Sequence, residues 1–177
     1  MTAVPSPECK MKDPHGRNIT VVTVFGVLIH QSRVLMIRRA YQPYKGLCTV
    51  PGGHKRHGES LKEACLREML EKTGLKMIDP RLIGLMEVES EGDPRDFMSF
   101  YFTCERCEGH LTSSSEGELF WADIGTASDL PEVHPAFLAL APHFLNPGRL
   151  FLARALVDSS GRGQYFVGDM SGKPVFS

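Results

Sequence analysis

The chain has 177 residues, 42% of them hydrophobic and 23% charged, with a formal net charge of −1. That is one domain with a sizeable core, and the balanced charge, without a basic run, argues against extended nucleic-acid binding. No apolar stretch reaches the length of a membrane span, no signal-peptide core opens the chain, and an odd set of cysteines (Cys9, Cys48, Cys65, Cys104, Cys107) points to a reduced, cytoplasmic setting. In chain order, residues 1–17 carry Pro5, Pro7 and Pro14 and read as a tail, loose or ordered only on contact. Ile19 to His30 is rich in Val, Ile, Phe and Thr and predicts a long strand. Gln31-Ser32 is a turn, Val34 to Arg38 a returning strand, Tyr41 to Gly46 a loop and Leu47 to Val50 a short extended piece. Val50-Pro51-Gly52-Gly53 reads as a strand end passing into a loop, where glycines let backbone approach a ligand closely.

Ser60-Leu61-Lys62-Glu63 is a capping box, and Gly74 sits where a helix should stop. The interval predicts a helix from Leu61 to about Thr73. Leu61, Cys65 and Met69, with Leu66 and Leu70 beside them, form its core-facing stripe. Glu68, Glu71 and Lys72 fall on another face, expected to be exposed. Carboxylates on adjacent turns suit a hard cation held against phosphate, and Lys55, Arg56 and His57 add positive charge to the preceding loop. An amphipathic surface helix with a solvated charged face is the plainer account of such a segment.

Strands are predicted over Leu82 to Glu89, Phe97 to Thr103 and Leu119 to Ala122. The second is apolar on both faces and reads as central and buried. Glu91 to Arg95 and Ser113 to Gly117 read as turn and loop. Pro135 to Leu145 predicts a second helix, with Pro135 tolerated at its start and Pro142 kinking or ending it. Leu150 to Val157 and Gln164 to Val167 flank Asp158 to Gly163 as a hairpin. Its apolar content is too high to leave in water. It is open to three uses: pairing with the sheet, covering a cleft, or forming a subunit contact such as a homodimer. Cys104-Glu-Arg-Cys107 lacks the second pair that a zinc site needs, which leaves free thiols at a strand end and no assigned role.

Gly53, Glu59, Arg67, Glu68, Met69, Glu71, Gly74 and Leu75 fall at spacings that resemble the signature box of the Nudix (MutT-like) hydrolases. One position departs: Lys72 stands where the box has the last of its paired glutamates. The resemblance covers about residues 18–147 and divides the chain into a tail (1–17), a Nudix-like domain (18–147) and a C-terminal extension (148–177). The order of elements is α+β, and the resemblance implies an α/β/α sandwich around a mixed β-sheet.

It also implies a metal-dependent hydrolase. Water would attack phosphorus in a nucleoside diphosphate derivative or nucleoside triphosphate, with Mg2+ or Mn2+ held by Glu68 and Glu71 and a further acid, Glu116 or Glu118, of which Glu116 is preferred. Glu59 and Arg67 would complete the catalytic set, Glu59 from the loop side and Arg67 tying loop to helix. Gly52, Gly53, Arg56, Lys72 and Tyr44 would meet the substrate. Tyr41, Phe97 and Trp121 are further candidates for stacking on a base, and His54 and His57 for carrying protons. Lys72 swings the local charge by two units, and an ammonium cannot ligate a cation. The alternative is therefore a weakened or inactive module that binds or senses a nucleotide. The substrate is not legible in one sequence: sugar nucleotides, ADP-ribose, dinucleoside polyphosphates and damaged triphosphates all fall within the resemblance.

Overall fold

A computed structural model describes residues 19–112, 114–145 and 148–169. The expected tail at 1–17 and the end of the extension, 170–177, lie outside the described residues. Strands β1 (Thr20–His30) and β2 (Arg33–Arg39) form a hairpin. Its two turn residues, Gln31 and Ser32, both have positive φ, 48° and 58°, as the twist of a two-residue hairpin requires. β3 (Cys48–Thr49), β4 (Gly52–His54), α1 (Leu61–Thr73), β5 (Leu75–Ile78), β6 (Arg81–Ser90) and β7 (Asp96–Cys104) follow. After them come β8 (Arg106–Gly109), β9 (Gly117–Asp123), a short 3-10 turn, α2 (Pro135–Leu145), β10 (Phe151–Val157) and β11 (Gly163–Asp169).

β1 runs parallel to β7 from Thr20↔Asp96 to Leu28↔Cys104. β7 pairs antiparallel with β6, β6 parallel with β10, and β10 antiparallel with β11. At its far end β1 hands over to β2, which carries β3 and β9. The sheet is therefore mixed, and its two faces hold separate cores. Val24, Leu28, Leu35 and Phe102 face Cys65 and Met69 of α1. Val27, Met86, Tyr101 and Phe151 face Phe137, Leu140 and Phe144 of α2. Alternation along β1 sends its side chains to opposite layers, which gives an α+β fold with helices on both faces of a mixed sheet.

Three strands were not legible. β5 and β8 are short and pair with each other across a long stretch of chain. The sequence reads Gly52-Gly53 as loop, yet in β4 they pair with Phe25 and Val24 of β1. A Cβ at Gly52 would overlap the Val24 carbonyl, so only glycine fits that approach. α2 spans Pro135–Leu145 as expected and continues through Pro142. The proline falls in the last turn, and Leu140, Ala141 and Phe144 around it are buried. Leu70 is 51% exposed, outside the stripe formed by Ala64, Cys65 and Met69. Among the described residues no helix is long and apolar enough to cross a membrane.

Candidate functional site

The site begins with the start of α1. Ser60 Oγ accepts from the Glu63 N–H at 3.2 Å, and the Ser60 N–H donates to Glu63 Oε2 at 2.7 Å, so the capping box is formed in both directions. At the other end Gly74 is left-handed, φ 72°, and its N–H reaches Leu70 O at 2.9 Å. The helix is thus fixed in length and register by local chemistry. Its carboxylates are thereby held beside β4.

Arg67 is the hub of that corner. Its guanidinium forks onto Glu59, with Nε to Oε2 at 3.0 Å and Nη2 to Oε1 at 2.7 Å. Nη1 donates to Glu68 Oε1 at 2.7 Å and Glu71 Oε2 at 3.2 Å, and Nη2 also reaches the His54 carbonyl at 2.9 Å. One side chain therefore ties strand β4, the loop and two turns of helix together. Two parallel donors onto one carboxylate give the strong form of such a pair. The hydrogen bond from Arg67, helped by the Arg56 N–H, holds the Glu59 carboxyl down at about 2. Reciprocally, Glu59 first and then Glu68 raise the pKa of Arg67.

Glu68 is not on an exposed face as expected: it is 8% exposed. Its carboxylate lies directly over Gly53, where any Cβ would overlap it. Gly53 therefore lets β4 approach the helix closely enough to bury this acid. Burial is tolerated because one oxygen takes Arg67 and the other faces Lys72 Nζ at 3.4 Å. Lys72 itself points inward. Its ammonium donates to the Gly52 carbonyl at 2.6 Å and pairs with Glu116 Oε2 at 2.6 Å.

A cavity of about 260 Å³ opens beside Lys72, with Phe25, Ile37, Val50, Gly52, Tyr41, Arg39 and Glu116 as its other walls. Phe25, Ile37 and Arg39 were not singled out in the sequence. Alternation on β2 puts Ile37 and Arg39 on one face, but only the pairing with β3 and β9 shows that this face borders the cavity. Tyr44 is not among the lining side chains; its ring packs edge-on against His134 at 4.4 Å. Its neighbour Tyr41 lines the cavity instead. Arg56 stands at the outer rim, 3.3 Å from Glu71. Of the two late acids, Glu116 joins the site and Glu118 faces Arg38 at 3.9 Å. Trp121 packs against the α1-side core and Phe97 lies under Arg95. His54 contributes its carbonyl to Arg67, and His57 sits in an exposed turn.

A divalent ion on Glu68, Glu71 and Glu116 does not fit this donor set as it stands. Each of the three carboxylates already meets a cation: Arg67 and Lys72 at Glu68, Arg67 and Arg56 at Glu71, Lys72 at Glu116. Among the described residues no three His, Cys, Asp or Glu side chains are grouped to hold a metal ion. With Glu59, four carboxylates face three cationic side chains, Arg56, Arg67 and Lys72, leaving a net charge near −1.

Residues 19–141 match the family model described as NUDIX domain. The Nudix hydrolase YvcI of Bacillus subtilis is 32% identical over 109 residues, covering 59% of this chain and 67% of that protein. The ADP-ribose pyrophosphatase of Methanocaldococcus jannaschii is 33% identical over 115 residues, covering 63% of this chain and 65% of that protein. The chain thus spans about two thirds of the length of these relatives. Among solved structures, a MutT protein from Bacillus halodurans superposes with a TM-score of 0.74 at 24% identity, over 83% of this chain and 97% of that one.

Proposed function

Since this chain belongs to the NUDIX domain family, we propose that it is a nucleotide pyrophosphohydrolase acting on a nucleoside diphosphate derivative or nucleoside triphosphate. Water attacks a phosphorus and the bridging P–O bond breaks. The products are a nucleoside monophosphate and a phosphorylated second group, or pyrophosphate from a triphosphate. The observation that supports this reading is the Arg67 corner. It fixes loop, strand and helix against each other beside a cavity with cationic Lys72 and Arg39 in its wall. Phosphoryl transfer draws mostly on positioning and on charge stabilisation, and this corner supplies both. Residues 18–147 carry the site in this reading, and 148–177 form an extension to it.

Arg67 holds Glu59 and Glu68 in place, and Glu71 stands at the solvent edge with Arg56. The backbone of Gly52 and Gly53, with Lys72 and Arg56, borders the path of a diphosphate; Tyr41 stands closer to that path than Tyr44. Nudix hydrolases generally use divalent metal ions. The carboxylates that would hold such an ion here are already engaged by Arg56, Arg67 and Lys72.

ADP-ribose is the first substrate to try, given the activity named for the M. jannaschii relative. Sugar nucleotides, dinucleoside polyphosphates and oxidised purine triphosphates complete the panel. Each is incubated with Mg2+, with Mn2+ and with chelator, and monophosphate or pyrophosphate release is measured. Release from at least one, abolished in Glu68→Gln, is the expected result. Tight binding across the panel without release would turn the reading to a nucleotide-sensing module.

A further inference from the structure

The oxygen cage between α1, β4 and the segment before β9 is closed around an ammonium group. Gly52 O and Glu116 Oε2 both lie 2.6 Å from Lys72 Nζ, and Glu68 Oε2 lies 3.4 Å from it. These oxygens come from three separate parts of the chain, and two of them are carboxylate. Such a set, a carbonyl and two carboxylates converging on a point, is what a hard cation takes from a protein. The amine that fills it is covalently tethered, mostly buried, and also lines the cavity.

We propose that Lys72 is a built-in cation at this site. Its ammonium replaces a divalent ion between Glu68 and Glu116 and contacts the phosphate of the substrate directly from the cavity wall. The metal half of this proposal stands apart from the hydrolase reading; the phosphate half rests on it. Two physical consequences follow. A free divalent ion meets a position already holding positive charge, at a separation where like charges repel even at the effective dielectric of a protein surface. A phosphate in the cavity reaches the same ammonium by displacing one of its three oxygen partners, and the half-exposed Glu116 carboxylate is the partner free to swing away.

The first experiment titrates Mn2+ alone into the substrate-free parent and into Lys72→Glu by calorimetry. Lys72→Glu removes the tethered cation and adds a carboxylate, so it should bind Mn2+ about tenfold tighter or more than the parent. Equal affinities would overturn the proposal. The second titrates inorganic pyrophosphate in excess chelator into the parent, Lys72→Arg and Lys72→Met. The parent and the arginine variant should bind, and the methionine variant should be weaker by about tenfold. Undiminished binding by Lys72→Met would overturn the phosphate half, while absence of nucleotide hydrolysis with both results in place would count against the hydrolase reading alone. Thermal melts check that each variant folds. Should the Lys72 variants unfold, Glu116→Gln decides instead. Removing one anion from the cage frees the ammonium toward phosphate, so pyrophosphate should bind tighter without metal; unchanged or weaker binding would overturn the proposal.

Discussion

The two helices pack on opposite faces of one sheet, and they are held there by different physics. α1 is polar on most of its circumference, buries Ala64, Cys65 and Met69, and is otherwise secured by caps and by the ion pairs of Arg67 and Lys72. α2 carries no Asp, Glu, Lys or Arg, burial lowers the pKa of His143 in its last turn, and the helix is secured by rings: Phe144 stands 5.3 Å from Tyr101, 5.8 Å from Phe137 and 6.1 Å from Phe151. The α2 face supplies most of the aromatic burial, which leaves α1 free to carry carboxylates that contribute little to folding by themselves. The same division explains why a proline is tolerated in one helix and a buried glutamate in the other.

The largest test of that division is Phe144→Ala. Truncating a fully buried ring costs about 3–5 kcal/mol of folding stability, which urea unfolding would read. Turnover per folded molecule should fall far less than stability, because Phe144 reaches the cavity wall only indirectly, through Tyr101 stacked on Phe25 at 5.1 Å. A variant that kept its stability but lost activity would show that the two faces are not separate.

His134 sharpens the comparison through pH. It precedes Pro135, and its Nδ1 accepts the Ala136 N–H at 3.1 Å, so the neutral ring caps α2. Burial, and then the charge of Arg39, hold its pKa down at about 4, against 6.5 when free. Above pH 6.5 neither folded nor unfolded chain is protonated there, and no cost arises. As pH falls from 6.5 to 4 the unfolded chain takes up a proton that the folded one refuses, and stability is lost, by about 3 kcal/mol when complete. His134→Asn keeps a capping acceptor without titrating. Its stability should fall less over that window than the parent's; parallel curves would remove His134 from the account.

These contrasts also show what the sequence could tell. The start and stop of α1, and Cys65 and Met69 on its inner face, were legible because each signal is local: a capping box, a glycine, a 3.6-residue period; Ala64 and the exposure of Leu70 were not. The box resemblance marked Glu59, Arg67, Glu68 and Glu71 for the same reason. What Lys72 touches was not legible. Gly52 and Glu116 reach it only through the pairing of β4 with β1 and of β9 with β2, and register is a property of the fold. Nor was the burial of Glu68, which depends on how closely Gly53 lets a strand approach. On the α2 side, the span Pro135–Leu145 was legible, and the burial of Phe144 accounts for the helix running on past Pro142.

Arg67→Met tests the charged face. It removes every link from the loop to α1 made by this residue and leaves Glu68 buried with one partner fewer. Losing hydrogen bonds to charged groups costs about 2–3 kcal/mol, less than the Phe144 truncation. The effect on turnover should be the reverse, a fall of about a hundredfold, as loop and helix lose their fixed relation. A kinetic and unfolding comparison of the two variants would thus show crossed effects. Equal losses of activity in both would mean that α1 is only scaffold.

Ser60→Ala is the smallest and most discriminating change. Ser60 touches no other part of the site; it holds the Glu63 N–H and closes the first turn. Loss of an N-cap costs about 1 kcal/mol. If the folding of α1 rests on caps more than on burial, that cost should appear locally, as faster hydrogen exchange in the first turn, Leu61 to Ala64, before any global loss. Glu59 sits immediately before the cap, and its pairing with Arg67 would then loosen with the turn. As its pKa is depressed, that pairing stabilises the folded protein above the free carboxyl value near 4.5 and is lost as pH falls toward 2. Fraying should therefore be worse in acid for Ser60→Ala than for the parent. Uniform exchange along the whole of α1 at both pH values would show instead that the helix is pinned by Cys65 and Met69 and that its caps set register alone.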